Sequence, residues 1–295
     1  MILSQASIPC SQLDLYAPVF CIISDRRVYR SRSPRLFRRV IAKVGIDASY
    51  VPFMVRPENL GKAMESLRIL NIAGANITVP YKEKAVAFMD QLSEGANIIG
   101  AVNTVVCRKG LLKGYNTNAI GVMDALEEAG IDVGDKTALV FGTGGVARAV
   151  VFILNWLRAA RVWVVGRDFQ KAAGLAADVA GRPLALEDMD RFSEPVHLLV
   201  NATSVSSPDE SGQLAEVVAG LKCRVSELVY DLNYGRARNF WQSWARKRDI
   251  PFMDGTTTLA HQASRTFALW TGIRVEPSEF LSDPPGPNGA QLRSG

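Results

Sequence analysis

The chain has only two histidines, His197 and His261, and four cysteines, Cys10, Cys21, Cys107 and Cys223. No CxxC pair or metal-ligand spacing joins them, which argues against a zinc centre and leaves the thiols a reduced, structural role. No apolar run approaches the roughly eighteen residues that a bilayer span needs. The opening MILSQASIPCSQLD lacks a basic stretch followed by an apolar one, so no signal peptide is expected and the cytoplasm is the default compartment. Internal repeats and low-complexity blocks are also missing ahead of the tail. Residues 282–295, rich in Pro and Gly, are expected to be disordered.

At 295 residues the chain can hold two domains with separate cores, and 48% apolar with 21% charged residues is a globular composition. The net charge is +5, and the basic residues are uneven. Arg26, Arg27, Arg30, Arg32, Arg35, Arg38 and Arg39 crowd one stretch; Arg236, Arg238, Arg246, Lys247 and Arg248 form another. A solvated helix face accounts for most of them, and attraction of an acidic metabolite or phosphate cofactor is the functional alternative. No nucleic-acid motif accompanies them, so neither nucleic acid nor membrane is an expected partner, and the oligomeric state is open.

Short apolar or β-branched runs occur at 19–23, 48–53, 74–79, 102–107, 137–141, 161–165, 197–201 and 228–231. Helical spacing fills the gaps, as in Leu36, Val40 and Val44, or Leu60, Met64, Leu67 and Leu70. Strands alternating with helices predict an α/β protein with parallel sheets of βαβ units. A break near 115–118 precedes a long helix, and a last helix over 256–271 follows the final strand. The division is then 16–117 with 255–281 for a substrate domain, and 118–254 for a doubly wound dinucleotide domain of Rossmann type.

Directly after the strand at 137–141 come Gly142-Thr143-Gly144-Gly145-Val146-Ala147, opening a helix. Glycines there allow a tight turn and close backbone approach to a pyrophosphate, which the free N–H groups of the helix start attract. The flanking strand, helix and second strand make this context specific for a dinucleotide. At the tip of that second strand stand Arg167 and Asp168. Arg suits a 2′-phosphate and acid suits a ribose hydroxyl, so NADP is the expected cofactor and NAD the alternative.

Four polar clusters mark element ends in the first half. Ser31-Arg32-Ser33-Pro34 introduces a helix, with Ser33 as its expected N-cap. Asn76 and Thr78 share one strand face. Asn103-Thr104 begins a strand, and Asn116-Thr117-Asn118 closes the domain. Singly each suits a turn or cap; together they suit a polyol. Lys82 alone among them can exchange a proton, and a helix start there would lower its pKa.

The order S-x-S-P, G-A-N-x-T-x-P-x-K-E, G-A-V-N-T, N-T, G-x-G-G-x-A-R, N-A-T-S, D-x-x-Y and D-G-x-x-x-L-x-x-Q resembles the shikimate dehydrogenase family over about residues 19–275. The resemblance implies NADP-linked interconversion of 3-dehydroshikimate and shikimate. It implies that Ser31, Ser33, Asn76, Thr78, Asn103 and Gln262 hold the ring acid, that Tyr234 lines the cleft, and that Lys82 is the acid/base. Gly142, Gly144, Gly145, Ala147, Arg167, Asn201 and Thr203 would bind cofactor.

Several positions depart from the family pattern. Asn118 stands where an Asp usually pairs with the lysine. Asp25 to Arg30 replace Gly-x-Pro-Ile-x-His, and Phe37-Arg38 replace His-Asn. Ser206 replaces a glycine, Arg236 and Asn239 replace Pro and Thr, and Gly166 replaces an Asn beside Arg167. Asn118 can still hydrogen-bond a hydroxyl but supplies no charge, so reduced turnover is expected. Quinate or aminoshikimate dehydrogenase, or a non-catalytic ligand-binding or regulatory relative, are the alternatives.

Overall fold

In β1 (Val19–Ser24), Phe20 and Ile22 point to one apolar cluster while Cys21 and Ile23 point to another. That alternation follows from the two-residue period of a strand and requires cover on both faces. The computed structural model describes residues 17–281. After β1 come α1 (Ser33–Val44), β2 (Ser49–Met54), α2 (Leu60–Ile69), β3 (Gly74–Ile77), β4 (Gln91–Leu92), α3 (Glu94–Ile99), β5 (Thr104–Arg108) and β6 (Leu111–Tyr115). Then α4 (Thr117–Glu128) leads to β7 (Thr137–Phe141), α5 (Gly145–Trp156), β8 (Arg161–Gly166), α6 (Phe169–Asp178) and β9 (Arg182–Ala185). The order ends with β10 (Val196–Asn201), α7 (Gly212–Ala219), β11 (Val225–Asp231), α8 (Phe240–Arg246), β12 (Phe252–Asp254) and α9 (Thr256–Thr271).

The first sheet runs β2-β1-β3-β5-β6-β4 and is mixed, because β5 pairs antiparallel with both β3 and β6. The expected all-parallel arrangement does not hold in this sheet. For the β5/β6 pair the physical cause is the two-residue turn Lys109-Gly110, both at positive φ (52° and 74°), which closes the two strands into a hairpin. On one face α2 contributes Leu60, Met64 and Leu67. On the other, Leu36, Phe37 and Val40 of α1 meet Phe267 and Trp270 of α9. Trp270 stacks on Phe20 at 4.7 Å and donates its indole N–H to the Val105 carbonyl at 2.9 Å. A side chain at Gly74 would strike that indole, so the last helix docks only over a glycine.

The second sheet, β12-β11-β10-β7-β8-β9, is parallel throughout. This is the doubly wound order, with β7 central and the strand order reversing between β7 and β10. Ligand crevices in such sheets open beyond the carboxyl ends of the strands at that point. α4 lies between the two halves: Val122, Ala125 and Leu126 enter the second core, while a Cβ at Gly121 would sit 2.9 Å from the Thr258 carbonyl of α9. The tail assigned to disorder lies outside the described residues. No helix among the described residues is long and apolar enough to cross a membrane.

Candidate active site

Gly142 follows β7 at φ +126°, and a Cβ there would lie 2.9 Å from the Ala202 carbonyl carbon and oxygen. Both the dihedral and the close approach demand glycine. Gly144 is the N-cap of α5 and offers no side chain, so the first N–H groups of that helix lack partners within it. Gly166 leaves room for Thr143, whose Cγ2 would be 2.6 Å from an added Cβ. These are the features of a cradle into which a pyrophosphate fits against backbone. Ala147 is fully buried and serves helix-to-sheet packing rather than ligand contact.

At the β8 tip, Asp168 accepts from the Lys171 N–H at 3.2 Å as the N-cap of α6 and pairs with the Lys171 ammonium at 3.5 Å. That backbone N–H, with the lysine, holds its carboxyl below the usual range. Asp168 is therefore committed to its helix, whereas exposed Arg167 makes no ion pair among the described residues. The cradle suits a phosphate better than a ribose hydroxyl at this corner.

A cleft of about 720 Å³ opens along this edge. Residues 142–146, 166–168 and 202–205 form one wall, and Val79, Pro80, Lys82 and Glu83 face them. Lys82 lies in a turn, not at a helix start: the 3-10 turn that follows is Lys84–Phe88, with Glu83 as its N-cap. The expected helix dipole therefore does not account for its pKa. Burial disfavours the ammonium and lowers Lys82 to about 8. Its carbonyl accepts from Val102 N–H at 2.8 Å, which anchors the turn while the amine makes no bond among the described residues.

A second set of residues forms one hydrogen-bonded floor. Tyr50 donates its hydroxyl to Asn76 Oδ1 at 2.8 Å. Asn76 Nδ2 donates to the Asn103 carbonyl at 3.3 Å. Asn103 Nδ2 in turn reaches Asn118 Oδ1 at 2.8 Å, Thr117 Oγ1 at 2.9 Å and Gln262 Oε1 at 3.5 Å. The Thr104, Thr117 and Thr266 hydroxyls lie 2.9–3.3 Å from one another beneath it. Asn76, Asn103, Asn118 and Gln262 are thereby joined, although they come from β3, the residue before β5, α4 and α9.

Other expected residues fall elsewhere. Thr78 lies one residue beyond β3, held by its N–H to the Ile23 carbonyl at 3.2 Å. Ser33 is the first residue of α1, whose N-cap is Arg32; Ser31 does the capping of that turn, its Oγ accepting from Ser33 N–H at 3.2 Å. Asn201 is fully buried and does not line the cleft. Its Nδ2 donates to Asp231 at 2.8 Å and to the Val205 carbonyl at 2.9 Å, and its Oδ1 takes the Thr203 hydroxyl at 2.7 Å. Thr203 lines the cleft with its hydroxyl turned to Asn201. Tyr234 lies in a separate concavity of about 340 Å³ with Arg236 and Asn239.

Tyr50 and Thr266 belong to the floor without having stood out in the sequence. For Thr266 a signal exists, since it follows Gln262 by one helical turn and shares its face. Tyr50 carries none: an alternating strand residue with an aromatic ring is ordinary core.

Two family models match the chain, one described as the shikimate dehydrogenase substrate binding domain over residues 23–105 and one as shikimate / quinate 5-dehydrogenase over 124–234. A shikimate dehydrogenase (NADP(+)) of Caldanaerobacter subterraneus is 36% identical over 88% of this chain and 94% of its own. That of Thermococcus kodakarensis is 36% identical over 85% and 89%. The crystal structure of a shikimate 5-dehydrogenase from Thermus thermophilus in complex with NADP(H) and shikimate superposes with a TM-score of 0.78, at 33% identity, over 90% of this chain and 97% of that one. With both domains matched, and a lysine facing the dinucleotide cradle across a single cleft, this chain belongs to the shikimate dehydrogenase family.

Proposed function

We propose that the protein is an NADP-dependent oxidoreductase that interconverts 3-dehydroshikimate and shikimate. The observation that carries this reading is the position of Lys82, which lies across one cleft from the glycine cradle and Arg167. In this reading residues 16–117 with 255–281 bind the ring acid and 118–254 bind the dinucleotide.

The nicotinamide, when bound, supplies the ketone carbon with a hydride or removes one from the carbinol carbon. Lys82 handles the proton at the oxygen of that same carbon. Lowered to about 8, it holds both protonation states near neutral pH, as an acid/base group must. Ser31, Ser33, Asn76, Thr78, Asn103 and Gln262 orient the ring acid. Gly142, Gly144, Gly145 and Thr203 offer backbone to the pyrophosphate side, and Arg167 meets the 2′-phosphate. Asn118 spends its Oδ1 on Asn103, so what it presents to a ring hydroxyl is its Nδ2 donor. It positions without adding negative charge beside the lysine.

The test is an assay that crosses shikimate and quinate with NADP and NAD. NADP reduction is expected with shikimate and is expected to be weaker with each other pairing. Reduction that is faster with quinate, or absent with all four pairs, would remove the assignment.

A further inference from the structure

α4 and α9 meet backbone to backbone at a glycine and are tied by charge beside that contact. A Cβ on Gly121 would lie 2.9 Å from the Thr258 carbonyl oxygen, 3.1 Å from Gln262 N and 3.2 Å from Gln262 Cβ. One turn earlier on α4, the Thr117 hydroxyl lies 3.2 Å from that of Thr266. One turn later comes a cluster that the acid/base chemistry does not use. Asp124 and Glu128 are four residues apart on α4, and His261 and Arg265 four apart on α9, so each pair shares a helix face.

Arg265 grips Asp124 with two prongs, Nε at 3.1 Å from Oδ2 and Nη2 at 3.4 Å from Oδ1. The His261 imidazole spans both acids, with Nε2 2.6 Å from Glu128 Oε2 and Nδ1 3.7 Å from Asp124 Oδ2. Asp124 is buried, so water screens these charges less than it would on an open face. None of the four residues lines the cleft that holds the glycine cradle and Lys82. Gln262 stands beside His261, and its Oε1 lies 3.5 Å from Asn103 Nδ2, at the outer limit of a hydrogen bond. Asn118 Oδ1 is 2.8 Å from the same donor. No side chain at Gly121 interlocks with α9, so a small tilt there makes or breaks the Gln262 bond and leaves that of Asn118 intact.

We propose that Asp124, gripped by His261 and Arg265, is a positioning residue for the ring-acid site: it fixes the tilt of α9 on α4 and so the reach of the Gln262 amide toward a ring hydroxyl. The proposal rests on the reading of the substrate given above. A purely structural role, with the cluster only adding stability, predicts different behaviour and is separable.

The experiment measures steady-state kinetics and calorimetric binding of shikimate for the full chain, Asp124→Asn, Arg265→Gln, Arg265→Lys and the double variant Asp124→Asn with Arg265→Gln, with melting curves for each. Asp124→Asn is expected to raise KM and Kd for shikimate about three- to thirtyfold, with kcat and KM for NADP within about twofold. Arg265→Gln is expected to move shikimate the same way, and Arg265→Lys, which keeps the charge, to restore most of that loss. The double variant should bind no more weakly than Asp124→Asn alone, because the two side chains act as one unit. Lower melting temperatures with shikimate KM and Kd unmoved, or equal changes in KM for shikimate and NADP, would overturn the proposal while leaving the activity standing. So would shikimate binding by Arg265→Lys as weak as by Arg265→Gln, a comparison that also serves should Asp124→Asn fail to fold. A chain that binds shikimate without turning it over loses the functional reading alone, since calorimetry still reads the proposal. If the unaltered chain binds no shikimate, both fall together.

Discussion

Asn103 Nδ2 donates to Asn118 Oδ1 at 2.8 Å, and that one bond decides which end of the Asn118 amide is left for a ligand. An aspartate in its place would accept the same donor, so the floor tolerates the exchange. What changes is the charge.

Asn118→Asp is expected to raise kcat by about tenfold or more, with little change in KM for shikimate. A carboxylate there favours the lysine ammonium and offers a partner in proton transfer, and general acid–base groups contribute about 10²–10⁴-fold. Steady-state kinetics decide it: turnover equal to or below that of the unaltered chain would remove the argument.

The two directions of reaction are expected to have opposite pH profiles. Alcohol oxidation needs the neutral amine of Lys82, so its kcat/KM should climb with pH and level off above about 8. Ketone reduction needs the ammonium and should decline above the same pH. The folded-state pKa lies below the ordinary 10.5, so the unfolded chain binds more protons between the two values, and folding stability should rise with pH across that window. Lys82→Met should abolish the inflection; its survival in that variant would assign it to another group.

Arg167→Gln is expected to raise KM for NADP at least about tenfold and to leave KM for NAD nearly unchanged, as loss of a charge-assisted contact to the 2′-phosphate requires. Asp168 should not take over the ribose, because it caps α6 and pairs with Lys171. Parallel changes for the two cofactors would place the phosphate elsewhere.

Asn239→Ala tests the buried hub beneath the cleft. Asp231 is fully buried and accepts from Asn239 Nδ2 at 2.5 Å and Asn201 Nδ2 at 2.8 Å; burial nonetheless pushes its carboxyl upward. Asn239 also caps α8, its Oδ1 accepting from the Trp241 and Gln242 N–H groups at 2.9 and 3.1 Å. Losing a cap costs about 1 kcal/mol and losing a donor to a buried carboxylate about 1.5–3 kcal/mol, so urea unfolding should show a loss of about 2–4 kcal/mol. A change below about 0.5 kcal/mol, on the order of a surface substitution, would mean the hub is not stabilising.

Ser206, Arg236 and Asn239, three departures from the family pattern, meet in this region. The Asn233 amide reaches Ser206 Oγ at 2.9 Å, Asn239 reaches Asp231, and Arg236 pairs with Glu210, whose carboxylate also takes the Ser206 and Ser207 N–H groups at 2.8 and 3.0 Å. In sequence they read as unrelated losses. In space they tie the 203–210 segment to the 231–239 segment.

Local pattern in the chain was enough to place the elements. Alternating apolar residues set the strands, and the helix read over 256–271 is the helix found. The run Gly142 through Ala147, from the end of β7 into α5, announces the cradle, because turn geometry there is a property of consecutive residues. Other features needed the folded chain. The first sheet became mixed because pairing direction is set by the Lys109-Gly110 turn together with the neighbour that β5 meets. Asn201 turned inward because Asp231, thirty residues away, needed a donor. Lys82 owes its lowered pKa to burial by distant segments, and Asn118 owes its orientation to Asn103 on another element. Desolvation and hydrogen-bond direction are properties of surroundings, and surroundings exist only once the chain has folded.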